Sequence, residues 1–104
     1  MYIPSMFNYY KLSKAMSDTN RIKIIQMLSD GEQNVTYVAD NLDVEENLAS
    51  HHLRVLASLG FLKSDKKGRE VFYRINKPSL VRIFKSLIKT PLFKDIIAES
   101  ALEK

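Results

Sequence analysis

The chain has 104 residues, 45% of them apolar, with 16 Lys and Arg against 12 Asp and Glu, a formal charge of +4 and a pI near 9.4. That length suits one domain, residues 1–104, with enough apolar content for a core. With no Cys, disulfides, thiolate metal sites and thiol switches are excluded; no run reaches the ~20 apolar residues of a membrane span, and the start broken at Pro4 is too short for a signal peptide, so a soluble, cytoplasmic protein without a membrane partner is expected.

In chain order, residues 6–16 carry Met6, Phe7, Tyr10, Leu12 and Ala15 or Met16 at helical spacing, in a segment rich in aromatics. Ser17-Asp18 caps a second predicted helix over 19–29, with Ile22, Ile25, Met27 and Leu28 facing inward, and Asp30-Gly31 stops it. Residues 34–35 suggest a short strand. A compact helix follows over 36–42, with Val38, Ala39 and Leu42 on one side, then a tight turn at Asp43-Val44. Asp stands where such turns often use Gly, and it tolerates left-handed backbone better than most residues.

Residues 45–59 form the most informative segment. Wound at ~100° per residue, it puts Asn47, Ser50, His51, Arg54 and Ser58 in one arc and Leu48, Ala49, Leu53, Val55, Leu56 and Leu59 in the rest. Short hydrogen-bonding side chains with one Arg, rather than Lys and Glu, can approach a base edge or a phosphate closely. Two helices joined by a tight turn, with small Ala39 at the crossing, read as a helix-turn-helix over about 36–59. Gly60 ends the second helix. Strands at 61–65 and 70–75 flank the turn Lys66-Lys67-Gly68-Arg69, where Gly supplies positive φ, making a basic hairpin or wing over about 61–75. Pro78 opens a further helix with Leu80, Val81, Phe84, Leu87 and Ile88 as its seam, and Thr90-Pro91 restarts a last one.

Charge follows the same division. Residues 1–44 hold four basic against five acidic side chains, 45–77 seven against four, and 78–104 five against three. The positive charge begins at the helix with the polar arc, as a local polyanion footprint would. The fold class expected is mainly α with a small β-hairpin, a winged helix-turn-helix dimerised through its terminal helices, about 6–16 and 78–101.

The runs Ala15-Met16-Ser17-Asp18-Thr19-Asn20-Arg21-Ile22-Lys23-Ile24-Ile25 and Leu48-Ala49-Ser50-His51-His52-Leu53-Arg54-Val55-Leu56, then Gly60-Phe61-Leu62, resemble the ArsR/SmtB family of winged-helix repressors. The hairpin from Lys67 to Ile75 completes the pattern, which covers roughly residues 12 to 88. The resemblance implies a homodimeric, cytoplasmic repressor on an inverted-repeat operator in double-stranded DNA. Metal-sensing members resembling this chain carry Cys around the positions of Asn34 and Thr36, or Asp, His and Glu on the last long helix; residues 79–89 hold no His and no acidic residue. No metal or cofactor is therefore expected, and the inducer stays open among a small organic ligand, a partner protein and none.

The residues expected to meet DNA are Thr36, Glu46, Asn47, Ser50, His51, Arg54, Lys63, Lys66, Lys67 and Arg69. Asn can pair with adenine, Arg with guanine or phosphate, and Ser with either. The wing cations and Thr36 suit phosphate, with a solvated turn as the plain reading of the former and a helix cap of the latter. His51 suits a DNA contact at the matching family position or a solvated surface site, whereas His52, in the apolar arc, suits a core or interface position with a hydrogen-bond partner. Glu45 and Glu46 favour the helix dipole but repel phosphate, so either docking shifts toward Asn47 and beyond or Glu46 reads cytosine. Tyr2, Ile3, Phe7, Tyr10, Leu80, Phe84, Leu87 and Ile88 exceed the needs of one small core and suit a two-fold interface. No nucleophile-base pair, phosphate loop or His-Glu metal motif assembles, so no enzyme is expected. The competing reading is a protein-binding winged-helix module without DNA binding, supported by Glu45, Glu46 and the modest net charge.

Overall fold

The structure, a computed structural model, describes the backbone from Pro4 to Leu102 and the side-chain surroundings of residues 6–99. Tyr2 and Ile3 lie outside the described residues. The first predicted helix forms as α1 (Pro4–Met16). Asp18 caps α2 (Thr19–Leu28), its Oδ1 accepting from the backbone N–H of Asn20 at 2.8 Å and Arg21 at 3.3 Å. These two N–H groups lack helical partners, which is why an Asp placed there starts the helix.

The face of α2 departs from expectation. Ile24 and Leu28 are buried, Ile25 and Met27 half-buried, and Ile22 is exposed, while Arg21 turns inward on the Ile24–Leu28 side. An Arg on the inner stripe rotates the helix only because its guanidinium finds partners there, as described below.

A two-residue strand, β1 (Gln33–Asn34), leads directly into α3 (Val35–Leu42), whose first turn is capped by Asn34 Oδ1 accepting from Tyr37 N–H at 2.7 Å. Asp43 adopts the left-handed conformation, φ 55°, and lets Val44 N–H return to Ala39 O at 3.1 Å before α4 (Glu46–Ser58) begins. Ala39 and Ala49 are both buried where α3 packs on α4, and their small side chains allow the helices to close on each other. Leu53 and Leu56 of α4 are fully buried, each contributing about 1.5–3 kcal/mol of apolar burial.

Gly60, at φ 85°, turns the chain out of α4 into β2 (Leu62–Lys67) and β3 (Glu70–Ile75). The hairpin pairs Lys67 with Glu70 and Leu62 with Ile75, around Gly68 at φ 64°. β1 adds to the other edge of β3, giving a three-stranded antiparallel sheet in the order β1-β3-β2 instead of a lone hairpin. Phe61, Leu62 and Tyr73 deliver the sheet's apolar side to the core formed with α2, α3 and α4.

Asn76 caps α5 (Lys77–Ile88), with Pro78 in its first turn. Two stripes divide this helix. Ile83 and Leu87 are buried and Leu80 is half-buried against the core, whereas Val81, Phe84 and Ile88 face out. Leu87 is therefore corrected from the expected interface: its side chain fills the protomer's own core and leaves no surface for a partner. Thr90 follows; its hydroxyl donates to Leu87 O at 2.7 Å and accepts from Tyr9 OH at 2.7 Å, tying α1 to the start of α6 (Pro91–Leu102). The Tyr9 and Phe93 rings stack with centroids 5.8 Å apart. The radius of gyration, 15.7 Å, exceeds the ~13 Å of a compact domain of this length.

Candidate nucleic-acid interface

The outward arc of α4 follows from what its other face must do. With Ala49, His52, Leu53 and Leu56 packed inward, Glu46, Asn47, His51, Arg54 and Ser58 are exposed and Ser50 is half-buried. Arg54 Nη1 donates to Ser50 Oγ at 2.9 Å across one helical turn, so the two act as a joined polar pair. Leu48 departs from the apolar arc and is 43% exposed. It lies only ~60° from His51 on the wheel, so it belongs with the outward face. Tyr37, on α3, is likewise exposed. Sequence reasoning missed both because it sorted residues by polarity; a large apolar side chain beside a polar arc is compatible with a thymine methyl as well as with a core.

Thr36 stands exposed in the first turn of α3, and its hydroxyl donates to Glu46 Oε1 at 2.9 Å. These two residues share a cleft of about 240 Å³ with Asn34, Arg69, Glu70 and Val71, between the helix-turn-helix and the wing. Asn34 Nδ2 donates to Glu70 Oε1 at 2.9 Å there. Asn34 and Thr36 are thus engaged in local hydrogen bonds and offer no thiolate, so this donor set does not fit a soft metal ion.

Lys63, Lys66, Lys67 and Arg69 are all exposed on the wing, yet the strand register separates them. Lys63 and Lys67 share one face with Arg74, which lies opposite Lys63, while Lys66 falls on the other face with Leu62 and Tyr73. Lys67 is engaged: its ammonium pairs with Glu32 and sits 4.9 Å from the centre of the Phe72 ring. The Glu32 hydrogen bond holds its pKa above the ordinary value. Arg74 is an exposed wing cation that sequence reasoning did not single out, although it ends the Tyr73-Arg74 pair of the hairpin motif.

Behind the arc, His52 is buried as expected and has a partner. Arg21 Nη1 lies 3.4 Å from its Nδ1, and since guanidinium only donates, Nδ1 must accept and the ring proton sits on Nε2. Nε2 faces Asp18 Oδ1 at 3.9 Å. Arg21 Nη2 meanwhile donates to Lys14 O at 2.9 Å and Ser17 Oγ at 2.8 Å, while its Nε is buried without a partner. Burial, reinforced by the charge on Arg21, pushes the His52 pKa below its ordinary value despite Asp18.

The remaining expected interface residues sit on two helices that pack against each other, α1 and α5. Phe7, 62% exposed, Tyr10 and Met6 line a shallow apolar hollow on α1, and Phe84 and Ile88 project from α5.

Comparison with known proteins agrees with this architecture. The sequence profile of the bacterial regulatory protein, arsR family, matches residues 18–64. A cadmium resistance transcriptional regulatory protein CadC homolog of Staphylococcus aureus is 43% identical over 67 residues, 64% of this chain and 55% of that protein. The chain thus spans about half the length of that relative. The transcriptional repressor SdpR of Bacillus subtilis is 30% identical over 63 residues, 61% of this chain and 70% of that protein. An ArsR-like transcriptional regulator from Rhodococcus sp. RHA1 superposes with a TM-score of 0.75 over 97% of this chain and 95% of that one, at 24% identity. A homodimeric winged helix-turn-helix DNA-binding domain from Mycobacterium bovis superposes at 0.67, over 90% and 81%, at 23% identity. At such identities the two structures speak for the fold alone. Profile, relatives and fold converge: the chain belongs to the ArsR/SmtB family of winged-helix transcriptional regulators, a family of regulators and not of enzymes.

Proposed function

We propose that this chain is a sequence-specific DNA-binding repressor acting as a homodimer on an inverted-repeat operator. The observation that carries the reading is the outward arc of α4, where Asn47, His51 and Arg54 are exposed and Ser50 half-buried while Leu53 and Leu56 behind them are buried. In this reading α4 enters the major groove, Thr36 and the wing cations Lys63, Lys66, Lys67 and Arg69 grip the flanking phosphates, and occupancy blocks transcription. The apolar residues Phe7, Tyr10, Phe84 and Ile88, with Leu80 at their margin, meet their counterparts across a two-fold axis. That axis sets the recognition helices about 34 Å apart, one turn of DNA. The relative named a transcriptional repressor supports the repressor part of this reading.

The test is duplex affinity as a function of salt, using DNA selected from a random pool. Each phosphate neutralised contributes a slope of about −0.9 in log K against log salt. Lys66→Ala with Arg69→Ala flattens that slope, and Ser50→Ala with His51→Ala weakens the selected site more than random DNA. A flat wild-type slope, or an affinity untouched by the α4 substitutions, defeats the reading. Sedimentation tests the dimer separately: Phe7→Glu with Phe84→Glu yields monomers if these side chains form the interface, and an unchanged sedimentation coefficient rules that interface out.

A further inference from the structure

In the free protein two of the groups that suit phosphate are already held by carboxylates of the chain itself. Thr36 Oγ1 donates to Glu46 Oε1, and Lys67 is paired with Glu32. The first pairing lies in the cleft between the helix-turn-helix and the wing, which Arg69 also lines and into which the first turn of α3 opens. A hydroxyl, a guanidinium and a helix N-terminus are a phosphate-binding set. Two carboxylates stand in that cleft, Glu70 bonded to Asn34 and Glu46 bonded to Thr36, and Glu46 is the one that takes the hydroxyl.

We propose that Glu46 occupies the seat of a backbone phosphate and thereby determines the sequence selectivity of α4, an inference that rests on the DNA-binding function above. A phosphate that takes Thr36 must displace the Glu46 carboxylate. Glu46 is exposed, on the first turn of α4, and once displaced it is an unpaired negative charge beside a polyanion. On most sequences that repulsion goes uncompensated. The base-edge donor suited to a carboxylate in the major groove is the N4 amino group of cytosine. Glu46 therefore penalises docking on any duplex and relieves the penalty where a cytosine meets it. Selectivity arises from weakening non-specific binding as much as from strengthening the specific contact.

The experiment compares wild type, Glu46→Gln, Thr36→Val and the double variant for affinity to a random-sequence duplex at two salt concentrations, alongside selection from a random pool by wild type and Glu46→Gln. Glu46→Gln should bind random duplex on the order of tenfold tighter, with a salt slope steeper by up to about 0.9 for the negative charge removed from beside the phosphates. The gain should be smaller in the double variant, which relieves the repulsion but lacks the Thr36 hydroxyl for the phosphate. The pool selected by Glu46→Gln should lose the cytosine that wild type requires. Random-duplex affinity changed less than about twofold, a gain undiminished by Thr36→Val, or an unchanged selected sequence each overturns the inference. The two readings fail differently. Absence of duplex binding by every variant refutes the groove function itself, whereas normal wild-type binding with an unaltered Glu46→Gln refutes only the role of Glu46.

Discussion

Replacing Arg21 by Met removes a single buried guanidinium that joins the end of α1 to the back of α4. The side chain is 8% exposed and makes two good hydrogen bonds, to Lys14 O and Ser17 Oγ, plus the longer one to His52. Hydrogen bonds from a charged donor contribute roughly 1.5–3 kcal/mol each. Against that stands the desolvation of the ion, several kcal/mol, which Met abolishes while filling much of the same volume. Ser17 is exposed and recovers a water partner, but His52 Nδ1 stays buried with nothing to accept from, a cost of about 1–3 kcal/mol. The balance is a loss of about 2–3 kcal/mol, a large share of the ~5–15 kcal/mol that holds such a domain together. At about 4 °C per kcal/mol, the midpoint of thermal unfolding falls by about 10 °C. Urea unfolding followed by circular dichroism, at one protein concentration, measures the loss directly. Lys23→Met, exposed on the same helix, is the control and stays within about 0.5 kcal/mol of wild type. An Arg21→Met protein as stable as wild type would show that the cluster costs as much as it returns.

Further outcomes follow from His52 and the glycines. His52 has a folded pKa below the 6.5 ordinary for histidine, so the unfolded chain takes up the proton first as pH falls. The stability owed to the neutral ring is whole above 6.5 and is lost between 6.5 and the depressed folded value. Denaturation midpoints measured across that window should decline for wild type and flatten for His52→Gln; a decline of the same size in both assigns it to other groups. Gly60→Ala meets positive φ and brings a Cβ to 2.6 Å from Ser79 Oγ, whereas Gly68→Ala meets positive φ with open space around it. The first should cost about 2–3 kcal/mol and the second about 1 kcal/mol, and Ser79→Ala should relieve the first alone. Equal losses at both glycines would remove Ser79 from the account.

The helix-turn-helix was legible because its physics is local. Period, cap and turn chemistry placed α3, α4 and the Asp43 turn within a residue or two, and the polar arc survives in the fold. The wing was legible in the same way, from two strand-like runs around the Gly68 turn, and the family resemblance added the expectation of a homodimeric repressor. What escaped depended on contacts between separate elements. Nothing around residues 33–34 announces that they pair with β3, since two residues carry no alternation to read. The burial of Arg21 was invisible because its partners, Lys14, Ser17 and His52, lie on two other segments, and a charged side chain is assigned outward unless they are known. Leu87 was misplaced for the opposite reason: on α5 two apolar stripes run side by side, and periodicity alone does not say which one faces home. Glu46 was read as ambiguous, and only its bond to Thr36 makes its conflict with a phosphate concrete.

The pairing of β1 with β3 has a mechanical consequence. The strand that leads into α3 is the third member of the sheet, so the hairpin is stitched at the middle of β3 to the helix that supports α4. The wing and the helix-turn-helix are thereby joined through backbone pairing as well as through the core. In the proposed dimer, a signal that acts by motion would therefore alter how the two copies sit relative to each other, as the angle between two fixed jaws alters a grip.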